Sequence, residues 1–208
     1  KGEKIVVAAT HAVISDDVIF SNLGMAVVDE QHRFGVNERA MLRGKGVNPD
    51  LLFMTATPIP RSLALTLYGD LDRSIIDELP PGRTPVITKY VTEKSRARMY
   101  EFIRAKVKEG KQVFVVCPLI EESEKLDLSA AKKAAKDLQI IFGEFKVRLL
   151  HGKMKSQEKE SIMKEFAENM SNILVSTTVI EVGIDIPNAT IMVIEHVERF
   201  GLSQMHQL

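Results

Sequence analysis

Asp29-Glu30-Gln31-His32 is the segment whose residue types are best suited to chemistry. It follows an apolar run, Met25-Ala26-Val27-Val28, that reads as a buried strand. Two adjacent carboxylates at the end of such a strand can divide a phosphoryl-transfer task. Asp29 can hold a divalent metal that clamps a nucleotide phosphate. Glu30 can align and deprotonate an attacking water. Gln31 and His32 can sense the phosphate and pass that signal on. The expected function is a nucleotide-driven motor. Asp-Glu also occurs wherever a strand ends in a polar turn, so the dipeptide needs support from the rest of the chain.

Two further segments offer that support. Thr55-Ala56-Thr57-Pro58-Ile59-Pro60-Arg61 closes an apolar run at 51–54, expected to lie beside the Asp29 strand. Thr55, Thr57 and Arg61 then stand at the carboxyl ends of neighbouring strands, where open α/β sheets place their ligands. Pro58 and Pro60 stiffen a turn before a helix over 62–67, which Thr57 or Ser62 could equally cap. Later, Ser176-Thr177-Thr178 and the sequence through Pro187 follow another apolar strand. Thr177 and Thr178 can hold a phosphate oxygen, Gly183 permits close backbone approach, and Asp185 can accept from a ribose hydroxyl. A plain strand-to-loop turn would need the same glycine. Thr10-His11 and His151-Gly152 each close a strand and could touch a nucleic-acid backbone. Arg33, Arg39, Arg43 and Lys45 make a modest basic cluster that also suits a solvated face.

The elements that must position these groups read as an α/β fold with a mainly parallel sheet. Strands are expected at 4–10, 25–29, 51–55, 75–79, 86–91, 112–117, 146–151, 173–176 and 191–194. Most are β-branched and apolar on both faces, as in sheets covered by helices on each side. Met99, Phe102, Ile103 and Val107 predict one helical stripe. Ser156 reads as the cap of a helix that buries Ile162, Met163 and Phe166. Residues 130–142 read as an alanine-rich helix, and 121–129 as an exposed acidic loop. Pro80-Pro81-Gly82-Arg83 can continue neither helix nor central strand, which predicts two units, 1–82 and 83–208.

Composition narrows the class. The 208 residues carry 45% hydrophobic residues, enough for a real core, and 28 basic against 28 acidic residues. That balance gives no basic footprint for nucleic acid, though it leaves local patches open. Cys117 is the only cysteine, which excludes an intrachain disulfide and fits a cytosolic location. The five histidines lack zinc-ligand spacing. No apolar run reaches the roughly 18 residues of a membrane span, so no membrane partner is expected. The chain starts at Lys1 and stops inside a helical pattern, which predicts a piece of a longer protein.

Taken in order, the three segments resemble the superfamily 2 helicases. Longer strings narrow this to the RecG branched-DNA helicases: Val28 through Val36, Met54 through Ser62, Tyr68-Gly69-Asp70-Leu71, Pro80-Pro81-Gly82-Arg83, Pro118 through Ser123, residues 176–190, and Glu198 through Leu208. The motor of the transcription-repair coupling factor is the nearest alternative. That family typically has Glu where Gln31 stands and lacks the strings at 80–83 and 118–123. A non-catalytic nucleic-acid-binding module is a second alternative.

The resemblance implies two RecA-like units, the first incomplete, with ATP and Mg²⁺ as cofactors and forked or branched duplex DNA as partner. It implies catalytic roles for Asp29 (Mg²⁺), Glu30, Gln31 and His32, and coupling roles for Thr55, Thr57 and Arg61. Nucleotide contacts fall to Gly183, Asp185 and Gln207. Nucleic-acid contacts fall to Thr10, His11, His151, Gly152, Thr177, Thr178 and Glu181. It also implies fork and Holliday-junction remodelling in a bacterial cytoplasm, close to the nucleoid. No G-x-x-x-x-G-K-[ST] string occurs in the chain. The resemblance puts that loop before Lys1 and an arginine finger after Leu208. The 208 residues alone are therefore expected to be inactive, with strand 51–55 an open edge prone to self-association and 83–208 the better-ordered half.

Overall fold

An apolar β-branched run becomes a strand only where a neighbour offers a free edge, and this condition decides which of the expected strands form. The computed structural model describes residues 5–30, 36–57, 71–80, 82, 84–118, 124–177 and 186–208. They fall into two compact units: Lys1–Ile75 with Leu202–Leu208, and Ile76–Gly201. The division thus falls at Ile75/Ile76 where the proline-rich string had suggested 82/83. Residues 72–77 lack regular structure, so no element fixes the break at the prolines themselves.

The first unit holds a 3₁₀ turn at His11–Ile14, strand β1 (Met25–Val28), helix α1 (Val36–Gly44) and strand β2 (Asp50–Phe53). The strands pair in parallel, with Met25 opposite Asp50 and Val28 opposite Phe53. Ala26, Val28, Leu51 and Phe53 share one face of this pair and pack with Val13, Ile14 and Leu42. The other face stays open: Val27 is 54% and Leu52 44% exposed. Gly46 is needed where α1 returns toward β2, because a Cβ there would sit 2.5 Å from the Leu23 carbonyl oxygen. Helix α5 (Leu202–Gln207) belongs to the same unit.

In the second unit, strands β3 (Gln112–Cys117), β4 (Val147–Leu150), β5 (Ile173–Thr177) and β6 (Ala189–Ile194) form a sheet in the order β4-β5-β3-β6. All three pairings are parallel. Alternation along the strands sends side chains to opposite faces. Val113, Val115, Cys117, Ile173 and Val175 meet Ile103 and Val107 of helix α2 (Arg96–Lys108), and Ala131 and Leu138 of helix α3 (Glu124–Ile141), with Phe142 just beyond it. Phe114 and Leu174 face the other way, toward Ile162, Met163 and Phe166 of helix α4 (Ser156–Ala167). Edge-to-face ring pairs seal both layers: Tyr100 on Phe142 at 5.6 Å and Phe114 on Phe166 at 4.9 Å. Gln112 is fully buried and donates to the carbonyls of Phe166 and Ser171, at 2.6 and 2.8 Å. This closes the last turn of α4, whose terminal carbonyls have no partner inside the helix.

Several expectations change. Residues 5–10 are exposed and form no strand, and the described residues of 75–79 and 86–91 are likewise irregular and exposed. Their composition suits a strand, but no sheet edge pairs with them, and unpaired backbone prefers water. Residues 124–129 are helical rather than loop, because α3 propagates through backbone bonds ahead of its first core residue, Ala131. Ser156 is the first residue of α4; the cap position is Lys155, and no side chain caps it. Phe102 is 54% exposed, and Tyr100 joins Met99 against the core instead. The helix expected at 62–67 lies outside the described residues.

Candidate functional site

Asp29 and Glu30 leave β1 at its carboxyl end, level with the end of β2, where the Met54 N–H donates to the Val28 carbonyl at 2.8 Å. Thr55 and Thr57 leave β2 at that same edge. The two segments therefore meet as their spacing implied. Thr55 folds the turn onto itself: its hydroxyl accepts from the Thr57 N–H at 3.1 Å and lies 2.9 Å from the Thr57 hydroxyl. Both threonines are half-buried. Asp29 is exposed, and its Oδ1 accepts the Glu30 N–H at 2.9 Å. Glu30 is half-buried and adopts left-handed backbone, with φ 50°. Few non-glycine residues sit there, and such strain gathers at functional positions.

The donor set suits magnesium. Among the described residues, no three His, Cys, Asp or Glu side chains converge into a protein-built metal cage. Mg²⁺ does not need one, since it binds through one or two carboxylates and takes its other oxygens from phosphates and water. Asp29, exposed at the edge, fits that role.

A second row forms in the second unit. Parallel registers align Leu150 with Ser176, and Thr177 with Cys117. Glu195 follows β6 and donates its N–H to the Val116 carbonyl at 2.9 Å. His151, Thr177, Cys117 and Glu195 thus stand side by side across the carboxyl edge of four strands. Thr177 is buried, and its hydroxyl has no hydrogen-bond partner among the described residues. His151 is half-buried, with Nδ1 likewise buried and unpartnered. Burial and then the Lys132 charge hold the His151 imidazole below its usual pKa. Burial, and then Glu195, pushes the Cys117 thiol up to about 11. It packs as a small apolar group.

Sequence reading passed over Glu195 and Arg96. Glu195 directly follows an expected strand, 191–194, which was the available signal. Its partner could not be read, because Arg96 lies 99 positions away. The Arg96 guanidinium bonds Glu195, the Tyr100 hydroxyl at 2.8 Å, and Glu93 at 2.9 Å. It joins the start of α2 to the end of β6. Thr10 and His11 are exposed at the start of the 3₁₀ turn, and Gly152 is exposed directly after His151. Gln207 is the last residue of α5. Gln31, His32, Arg61, Thr178, Glu181, Gly183 and Asp185 lie outside the described residues.

Parallel sheets with chemistry-bearing carboxyl ends are shared by many nucleotide-using proteins, so the family is decided by comparison. The Helicase conserved C-terminal domain profile matches residues 94–208, more than half of the chain. The chain belongs to that helicase family. Over all 208 residues it is 58% identical to the ATP-dependent DNA helicase RecG of Synechocystis, and over its whole length 52% identical to that of Bacillus subtilis. It covers 25% and 30% of those helicases, respectively. A solved structure of RecG bound to a three-way DNA junction matches with a TM-score of 0.68 at 49% identity, over 95% of this chain and 25% of that one. The helicase domain match takes in the four-stranded sheet of the second unit and helices α2, α3 and α4. No helix among the described residues is long and apolar enough to cross a membrane.

Proposed function

We propose that this chain is part of the motor of a RecG-type ATP-dependent DNA helicase, which couples ATP hydrolysis to translocation on forked or branched duplex DNA. The observation that carries this reading is the meeting of Asp29-Glu30 with Thr55 and Thr57 at one edge of the β1–β2 pair, in a chain similar to RecG from end to end. Asp29 would hold Mg²⁺, which shields the phosphate charge when bound. Glu30 orients the attacking water and takes its proton. Gln31 and His32 relay the state of the phosphate. Thr55, Thr57 and Arg61 couple it to DNA movement. Gly183, Asp185 and Gln207 face nucleotide. Thr10, His11, His151, Gly152, Thr177, Thr178 and Glu181 face DNA, and the buried Thr177 hydroxyl is a donor available for a backbone oxygen.

The units act as two RecA-like domains, the first completed by other parts of the protein. Remodelling of stalled forks and Holliday junctions in the bacterial cytoplasm is the biological task that follows. A helicase containing this chain is expected to hydrolyse ATP only with Mg²⁺ present, and faster on forked DNA than on linear duplex of equal length. Turnover without divalent metal, or without any response to DNA, would refute the proposal.

The 208 residues alone contain no Gly-x-x-x-x-Gly-Lys-Ser/Thr loop and are proposed to be inactive. Their first unit buries only one face of a two-stranded parallel pair, whereas parallel sheets are normally covered on both. Among the described residues the edge of β2 away from β1 is open, so hydrogen exchange should find the amides of Leu51 and Phe53 either fast or protected only when the chain self-associates, while Leu52 is held by β1. Full protection in a monomer would exclude the edge as a contact.

A further inference from the structure

Three lysines and one glutamate act on the His151 ring, an excess of positive charge. His151 follows β4, and α3 packs against that strand. Lys132 on α3, and Lys153 and Lys159 on the turn and first turns of α4, all lower the proton affinity of the His151 ring, while Glu158 acts in the opposite sense. Lys132 is exposed and Lys159 half-buried. Neither has a carboxylate partner among the described residues, whereas Lys106, Lys146 and Lys164 each pair with a glutamate. The Lys155 carbonyl accepts the N–H groups of Glu158 and Lys159, both at 3.0 Å, which ties the Lys159 backbone to the turn that follows His151. Lys159, half-buried as a residue and without an ion-pair partner among the described residues, together with a second lysine and an imidazole with an open Nδ1, is matched by a polyanion.

We propose that Lys132 and Lys159 bind backbone phosphates of the DNA strand that passes the His151-Gly152 turn. This inference rests on the helicase reading above and extends its DNA track sideways from the strand ends onto α3 and α4. The lysines act as point charges, so they contribute affinity that is independent of base sequence.

The test is binding of fluorescently labelled forked DNA by the helicase containing this chain, over a series of salt concentrations. Each phosphate neutralised contributes about 0.9 to the slope of log K against log salt. Lys132→Gln with Lys159→Gln should therefore flatten the slope by about 1.8. Lys132→Arg with Lys159→Arg should keep it. Lys111→Gln, which removes a lysine at the opposite edge of the sheet, should leave it unchanged. A wild-type slope in the double glutamine variant, or an equal loss in the Lys111 variant, overturns the phosphate contacts while the helicase reading stands. Wild-type protein that fails to bind forked DNA overturns both.

Discussion

Glu30→Gln, placed in the helicase that contains this chain, should reduce ATP turnover by about 10²–10⁴-fold, the range a positioned general base supplies. Nucleotide affinity should stay within a few-fold of wild type. Glutamine keeps the shape of glutamate and can still accept a hydrogen bond from water, but it cannot take the proton. The left-handed backbone at Glu30 and its half-burial at the end of β1, next to the strand that leads into Thr55 and Thr57, restrict where that carboxylate can reach. Asp29→Asn should behave differently. It removes the charge proposed to hold Mg²⁺, so the apparent Mg²⁺ requirement should rise together with the loss of turnover. Turnover in Glu30→Gln close to wild type would remove Glu30 from the proton-transfer role. Equal nucleotide loss in both variants would show that the pair serves binding alone.

Phe142→Ala should lower the stability of the second unit by about 3–5 kcal/mol, the usual cost of deleting a buried phenyl ring. Phe142 is fully buried. It stacks edge-on with Tyr100 and lies 6.4 Å from Phe145. The Arg104 guanidinium sits 5.4 Å from its ring centre, while also donating to the Ile141 carbonyl at 2.7 Å. The ring thus joins the end of α3 to α2 and to the sheet. Removing it leaves a cavity that two helices and a sheet cannot readily close. Urea unfolding followed by circular dichroism should show the second-unit transition at lower denaturant. A loss below about 1 kcal/mol would mean the surrounding helices repack freely, contrary to the dense interior expected of a native core.

Much of this was legible in the residues. The runs at 25–28, 112–117, 147–150, 173–177 and 189–194 became strands because each is largely apolar, rich in β-branched residues and has a partner strand to pair with. The same properties failed at 5–10 and 86–91, where the pattern is as good but no strand among the described residues pairs with them. A strand is a property of a pair, and a linear pattern records only one partner. The helical stripe of α2 was read with Phe102 in it, because spacing alone cannot separate a half-turn difference in facing. The order of the sheet could not be read at all. β3 lies between β5 and β6, strands that follow it by dozens of residues, and only packing of helices on both faces selects that order.

The family and the identity of the carboxylate pair were determined by sequence, since residue type and short-range order survive without coordinates. Asp29-Glu30, Thr55-x-Thr57 and His151-Gly152 needed nothing more to be singled out. Tertiary structure alone decided what stands beside them. The parallel register set Thr177 level with Cys117 and His151 level with Thr177. It brought Glu195 to Arg96 across 99 positions, and packed α3, which carries Lys132, against the strand that His151 follows. Electrostatic neighbours are chosen by distance in space, and distance in space is set by the sheet.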